Sequence, residues 1–183
     1  MTSYVTLPYP FEPTEAPPEY RGRPIIDPER CIGCGACARA CPPDAITVED
    51  DLQRGVRRVK LDVSRCIRCA FCEEACPAMA IKLSREFELA TPNKEDLIQI
   101  VEIPLVKCAV CGRYTNATVR QVAKANAITT HLPQALREEM SGYVNLCDRC
   151  RRVRAASRIY ESIPIFHKPS TKATVGEVHG SKT

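Results

Sequence analysis

The sequence has no tryptophan, and aromatic residues make up only 5% of it. A core built on large aromatic rings is therefore excluded. No apolar run approaches the roughly 18 residues of a membrane-spanning helix, so none is expected. Histidine is scarce: His131, His167 and His179 are the whole set, and none stands at ligand spacing to a cysteine pair. His131 reads as loop or surface. No Ser/His/Asp set, phosphate-cradling glycine loop or paired-carboxylate signature occurs, so no substrate-converting residue can be named. The opening "MTSYVTLPYPFEPTEAPPEY" lacks the apolar core and basic start of a signal peptide.

Cysteine is what the sequence has in excess. There are 12, and all fall into C-x2-C or C-x3-C spacings. Thiols this close in sequence favour one metal centre over a bridge between distant loops. The expectation is an intracellular, reduced protein that uses cysteine for metal.

Proline and charge divide the chain. Residues 1–30 hold 7 prolines, including Pro8, Pro10, Pro13, Pro17 and Pro18. Proline fixes φ and removes a donor, so residues 1–25 read as an extended arm. The arm is either a disordered leader or a strap along a partner, anchored by Tyr4, Tyr9, Phe11 and Tyr20. The net charge is +4. Its excess lies after residue 90, where Arg149, Arg151, Arg152, Arg154 and Arg158 bunch together.

Residues 26–90 contain one phrase written twice. Residues 27–46 and 62–81 match at 11 of 20 positions without a gap. "AITVED" and "VRRVKL" between them read as strands joined through "DLQRG", and "AIKL" mirrors "AITV". The spacing C-x2-C-x2-C-x3-C-P is the bacterial ferredoxin run for 4Fe–4S clusters. Three closely spaced thiolates reach one cluster, and the fourth, before proline, ligates the neighbouring one. By that rule Cys31, Cys34, Cys37 and Cys76 hold one cluster. Cys66, Cys69, Cys72 and Cys41 hold the other. Each half alone is too small to fold, so ligation supplies much of its stability.

Residues 91–163 read as a small helical domain. Asn93 with Asp96 suggests a helix start before "LIQI". "TVRQVAKANAI" places Val119, Val122, Ala123 and Ala127 on one helical face. Pro133 suits the first position of "PQALREEM", and "DRCRRVRAASRIYESI" reads as a basic helix. Cys108, Cys111, Cys147 and Cys150 suit a structural four-thiolate zinc site. The same ligands would suit mononuclear iron, and a third cluster is a further alternative. Residues 164–183 read as a flexible tail. The fold class is α+β: a ferredoxin-like domain with two 4Fe–4S clusters, an extended arm, and a small helical domain stapled by the four-cysteine site.

The stretch "YRGRPIIDPERCIGCGACARACP", with "AIKLSREFELATPNKEDL" and the later cysteine pairs, resembles a known family. It is similar to the ferredoxin-like iron–sulfur subunit of group 4 membrane-bound NiFe hydrogenases, of the formate hydrogenlyase and hydrogenase-4 type. That subunit is homologous to the dicluster subunit of respiratory complex I. The resemblance spans roughly residues 19–160. It implies a non-catalytic electron-transfer subunit, peripheral on the cytoplasmic side of the cell membrane. It would relay electrons between an electron-input module and the small 4Fe–4S subunit beside the large catalytic subunit. Membrane contact would be indirect, through partners. The rival functions are a free-standing dicluster ferredoxin and an iron–sulfur protein that binds nucleic acid. A free ferredoxin needs no arm or added domain, and the basic run has too little aromatic interleaving for a nucleic-acid surface.

The two halves differ where it bears on redox chemistry. Gly33, Gly35 and Ala36 of the first loop become Arg68, Ala70 and Phe71 in the second. Arg68 either alters the field at its cluster or is solvated surface. Solvent access and local charge tune cluster potentials, so the two clusters are expected at unequal potentials. Redox-titrated EPR should resolve two midpoints; one shared midpoint would overturn the expectation.

Overall fold

A computed structural model of the chain describes residues 9, 11, 12 and 14–163. The expected tail over 164–183, and Tyr4 of the arm, lie outside the described residues.

Each half of the repeat folds as strand, cysteine loop, one helical turn, strand. The first runs through β1 (Pro24–Ile26), α1 (Ala36–Arg39) and β2 (Ile46–Asp51). The second runs through β3 (Val56–Asp62), α2 (Phe71–Glu74) and β4 (Ile81–Leu83). Pairing is reciprocal: β1 lies antiparallel to β4, and β2 antiparallel to β3. The joints repeat as well. Asp27 N donates to Ala80 O at 2.7 Å, and Asp62 N donates to Ala45 O at 2.8 Å. Neither half can satisfy its backbone without the other.

The segment after residue 90 departs from the helical reading at its start. Asn93 does cap a turn, its side chain accepting from Glu95 N at 3.1 Å, but the turn is 3-10 and ends at Leu97. "LIQI" then enters β5 (Ile98–Lys107). The physical reason is the period. Val101, Ile103 and Leu105 are buried while Glu102 and Pro104 are exposed, which is alternation across a sheet. β5 pairs with β3 over Asp62↔Ile98 through Val56↔Pro104. It continues the sheet to β6 (Tyr114–Thr118), giving the order β2-β3-β5-β6. Gln99 clips this sheet to β1, accepting from Ile26 N at 2.9 Å and donating to Ile26 O at 2.6 Å. One core therefore joins Ile26, Ile46, Leu61 and Ile81 to Val101 and Ile103.

Three helices follow, as expected: α3 (Val119–Ile128), α4 (Gln134–Val144) and α5 (Asp148–Ser162). Thr118 and Gln121 close a capping box at the start of α3. Pro133 stands one place earlier than expected, as the residue before α4. The apolar face expected on α3 is mostly uncovered. Val122 is buried, whereas Val119, Ala123 and Ala127 are exposed. The basic helix α5 turns part of its charge onto α4. Arg154 stacks 4.7 Å from the Tyr143 ring and donates to Gly142 O, and Arg158 pairs with Glu139.

The arm lies against the chain's own residues 83–88. Gly22 N donates to Ser84 O, Ser84 N to Arg23 O, and Tyr9 Oη to Glu88 at 2.8 Å. Tyr9 and Tyr20 both meet the Phe87 ring.

Gly55 ends the β2–β3 turn at φ 70°. Its N–H donates to Asp51 O, and the Asp51 carboxylate accepts from Gln53 N and Arg54 N. These bonds, that from Arg54 first, hold the Asp51 carboxyl below its ordinary range. A Cβ at Gly55 would also stand 2.6 Å from Tyr114 Oη. Gly55→Ala is therefore expected to cost at least about 2 kcal/mol, from left-handed backbone strain and overpacking together. Thermal unfolding of the full chain measures it. Adding Tyr114→Ala should recover the steric part; a Gly55→Ala chain as stable as the parent would contradict this account.

Candidate functional site

The cysteine loops sit between the reciprocal strand pairs. Cys31 and Cys72 are each 8% exposed. The prolines after Cys41 and Cys76 end the helical turns. Each of these two sulfurs then accepts a backbone N–H four residues on: Ala45 N at 3.3 Å and Ala80 N at 3.2 Å. Cys66 Sγ likewise accepts from Arg68 N at 3.3 Å. Such bonds favour thiolate sulfur.

The cysteines gather in crossed sets. Cys41 lines one small cavity together with Cys66, Cys69 and Cys72. Pro24, Ile46, Leu61 and Leu83 make much of its wall apolar, and Arg68 also lines it. In the other set, burial first pushes the Cys37 thiol up to about 11, and the Cys31, Cys34 and Cys76 charges add to it. Burial, then Cys66, Cys37 and Cys41, push Cys72 up to about 12. Buried thiols whose negative charges oppose one another ionise together only around a positive centre. The donor set fits that need: closely gathered sulfurs, mostly apolar walls, and N–H groups aimed at Cys41, Cys66 and Cys76.

The loops keep one backbone shape in both halves. Gly33 and Gly35 have φ of 69° and 73°, and their counterparts Arg68 and Ala70 have 55° and 70°. Asp44 and Met79, again counterparts, have 50° and 49°. Left-handed backbone is ordinary for glycine and costs other residues about 1–2 kcal/mol each. The shape is thus imposed by the site, not by residue preference.

The covers of the two loops differ. Over the first, Thr118 Oγ1 donates to Ile32 O at 2.7 Å and Arg57 Nη1 to Gly33 O at 2.8 Å. Arg120 Nη1 donates to Cys31 O at 2.9 Å and also to Pro28 O. A Cβ on Gly33 would meet Arg57, Ile103 and Thr118 at 3.1 Å, so glycine there is required by packing too. Over the second loop, Arg68 Nη1 donates to Tyr20 Oη of the arm at 2.7 Å. Arg68 is half-buried rather than simply solvated. Ile67, Phe71 and Met79 of that half are more than half exposed. Sequence reasoning singled out neither Arg57 nor Arg120. A signal existed for Arg57, which shares the inward parity of Val59 and Leu61 on β3.

The second cysteine system is a separate construction. Cys108 ends the β5 side of a knuckle: Gly112 N donates to Cys108 O at 3.0 Å, and Cys108 N to Arg113 O at 2.8 Å. Gly112 takes φ 70°. Cys147 caps α5 and Cys150 sits in its first turn. Ala109 N donates to Asn145 O at 3.1 Å and ties the knuckles together. The four sulfurs all lie within 4.8 Å of one another, with Cys111 and Cys147 3.6 Å apart. Sulfurs bound tetrahedrally at about 2.3 Å stand about 3.8 Å apart, so the arrangement fits one metal ion. N–H groups of Cys147 and then Cys111 bring the Cys108 thiol down to about 6. Cys147 first, among its neighbours, pushes Cys150 up to about 12.

Among the described residues no helix is long and apolar enough to cross a membrane. A family profile described as the 4Fe-4S dicluster domain matches residues 30–80. Formate hydrogenlyase subunit 6 of Escherichia coli (strain K12) is 43% identical over 151 residues, covering 82% of this chain and 83% of that protein. The chloroplastic NAD(P)H-quinone oxidoreductase subunit I of Hordeum vulgare is 36% identical over 130 residues, 66% of this chain and 71% of that one. A chain in the structure of a membrane-bound sulfane sulfur reductase, an archaeal respiratory membrane complex, is 33% identical. It matches over 52% of each chain with a TM-score of 0.42. The chain belongs to the family of dicluster iron–sulfur subunits shared by formate hydrogenlyase-type group 4 hydrogenases and complex I-like quinone oxidoreductases, whose members are electron-transfer subunits of membrane oxidoreductase complexes.

Proposed function

We propose that this chain is the dicluster relay of a group 4 hydrogenase or a related membrane complex. It passes electrons between an electron-input module and the small subunit at the catalytic centre. It performs no substrate chemistry itself, and it rests peripherally on the cytoplasmic side, meeting the membrane through partners. The observation that carries this reading is the crossed gathering of cysteines. Cys41 lines one cavity with the second-loop thiols, and Cys76 acts on the first-loop set. It supports ligation of one 4Fe–4S cluster by Cys31, Cys34, Cys37 and Cys76, and of the other by Cys66, Cys69, Cys72 and Cys41. When bound, such clusters supply reversible one-electron storage. The chain's own part is to hold two such sites side by side and exclude water from them.

The four-cysteine site holds a structural metal, zinc in this reading, with iron the alternative for the same ligands. Four thiolates leave no open position for catalysis. Its work is to join the β5–β6 knuckle to the start of α5.

Mild-detergent purification from native membranes tests the relay. The chain is expected with hydrogenase-like or quinone-reductase-like subunits; recovery as a free monomer would sink the proposal. Metal analysis with EPR tests the ligands. Cys41→Ser should disturb the cluster of the second loop and leave the first-loop signal. Cys111→Ser should remove about one zinc per chain while both cluster signals persist. Loss of the first-loop signal alone in Cys41→Ser would mean that the crossing is wrong.

A further inference from the structure

The sheet and α3 deliver two arginines to the first cysteine loop, and the second loop receives no equivalent from them. Arg57 is 12% exposed at its side chain. It donates to Gly33 O at 2.8 Å, beside Cys34, and to Asn116 O at 2.9 Å. Its remaining bonds, at 2.6 and 2.7 Å, fork onto Asp50. Arg120 reaches the same loop from α3 and donates to Cys31 O at 2.9 Å. In the second half, Arg68 lines the cysteine cavity from within the loop itself but turns its guanidinium to the Tyr20 hydroxyl of the arm.

We propose that Arg57 and Arg120 are positioning residues that raise the reduction potential of the first-loop cluster, with Asp50 partly offsetting Arg57. The inference rests on the dicluster reading above. Reduction adds one electron, donated by the neighbouring redox centre of the complex, and leaves one more negative charge at the site. No bond forms and no proton moves. A fixed positive charge held in a poorly screened place favours the more negative state. Arg57 is held firmly in that role. The Asp50 fork fixes its guanidinium, which is charged at any ordinary pH. Arg120 is placed in the same sense by its bond to Cys31 O, and Glu29, 3.9 Å from its guanidinium, partly offsets it. Arg120 is 34% exposed, so solvent screens it more and its share is smaller.

Redox-titrated EPR on the full chain carrying both clusters, reduced stepwise with dithionite, tests this. The first-loop signal is identified as the one that Cys34→Ser perturbs. Arg57→Gln should make that cluster about tenfold harder to reduce, about 59 mV for one electron. Arg57→Lys should return most of the shift, and Asp50→Asn should move the midpoint the opposite way. Arg120→Gln, on a different element, should lower it by less, and it carries the test if Arg57→Gln fails to load iron. The second-loop midpoint should stay fixed throughout. An unmoved first-loop midpoint, or equal movement of both, would overturn the proposal. A parent chain with far fewer than about eight irons in its clusters, or with one reducible signal, would instead overturn the dicluster reading beneath it.

Discussion

Burial and mutual repulsion, acting together on closely gathered thiols, are the constraint on which this structure is organised. Sulfurs held this close and partly buried do not remain charged together unless something positive stands between them. The fold answers by making the gathering itself reciprocal. β1 needs β4 and β2 needs β3, just as Cys41 of the first half lines a cavity with the thiols of the second. Strand pairing and thiol placement are one arrangement seen at two scales. A ferredoxin core of this size is marginal on its apolar surface alone.

The rest of the chain breaks the symmetry of the repeat. β5 adds a strand to the hairpin, seals the core with Val101 and Ile103, and brings β6 and α3 over the first loop. The arm crosses the other side and meets the second loop through Tyr20. Two loops of nearly identical spacing thereby sit in different electrical and steric surroundings. The helices beyond contribute little to burial: α4 and α5 contain no buried residue. Arginine contacts to Tyr143 and Glu139 join α5 to α4, and the pair is tied to the sheet through the four cysteines and the Ala109–Asn145 bond. They are a surface held out from the core.

Much of this was legible in the sequence because ligand spacing is a local property. The repeat, the hairpin through "DLQRG" and the pairing of Cys108/Cys111 with Cys147/Cys150 all follow from short-range patterns. The errors arose where a local signal met a longer-range demand. Asn93 is a true cap, but the turn it starts is one turn long, because "IQIVEIPLV" alternates and β3 offers an edge to pair. Val119, Ala123 and Ala127 keep helical spacing, yet among the described residues of that face Val122 alone is buried. Arg57 read as one more charge on a strand. Its meaning appears only once the parity of β3 and its cross-strand partner Asp50 are known together.

The left-handed residues carry a consequence for how the molecule comes into being. The first loop gives its tightest turns to Gly33 and Gly35, which adopt that backbone freely. The second forces Arg68 and Ala70 into the same shape. Part of the binding energy at the second site is therefore absorbed in bending its own chain. The newly made polypeptide offers a ready mould on one side and a reluctant one on the other, and the two halves of an almost duplicated phrase differ in how hard they are to fill.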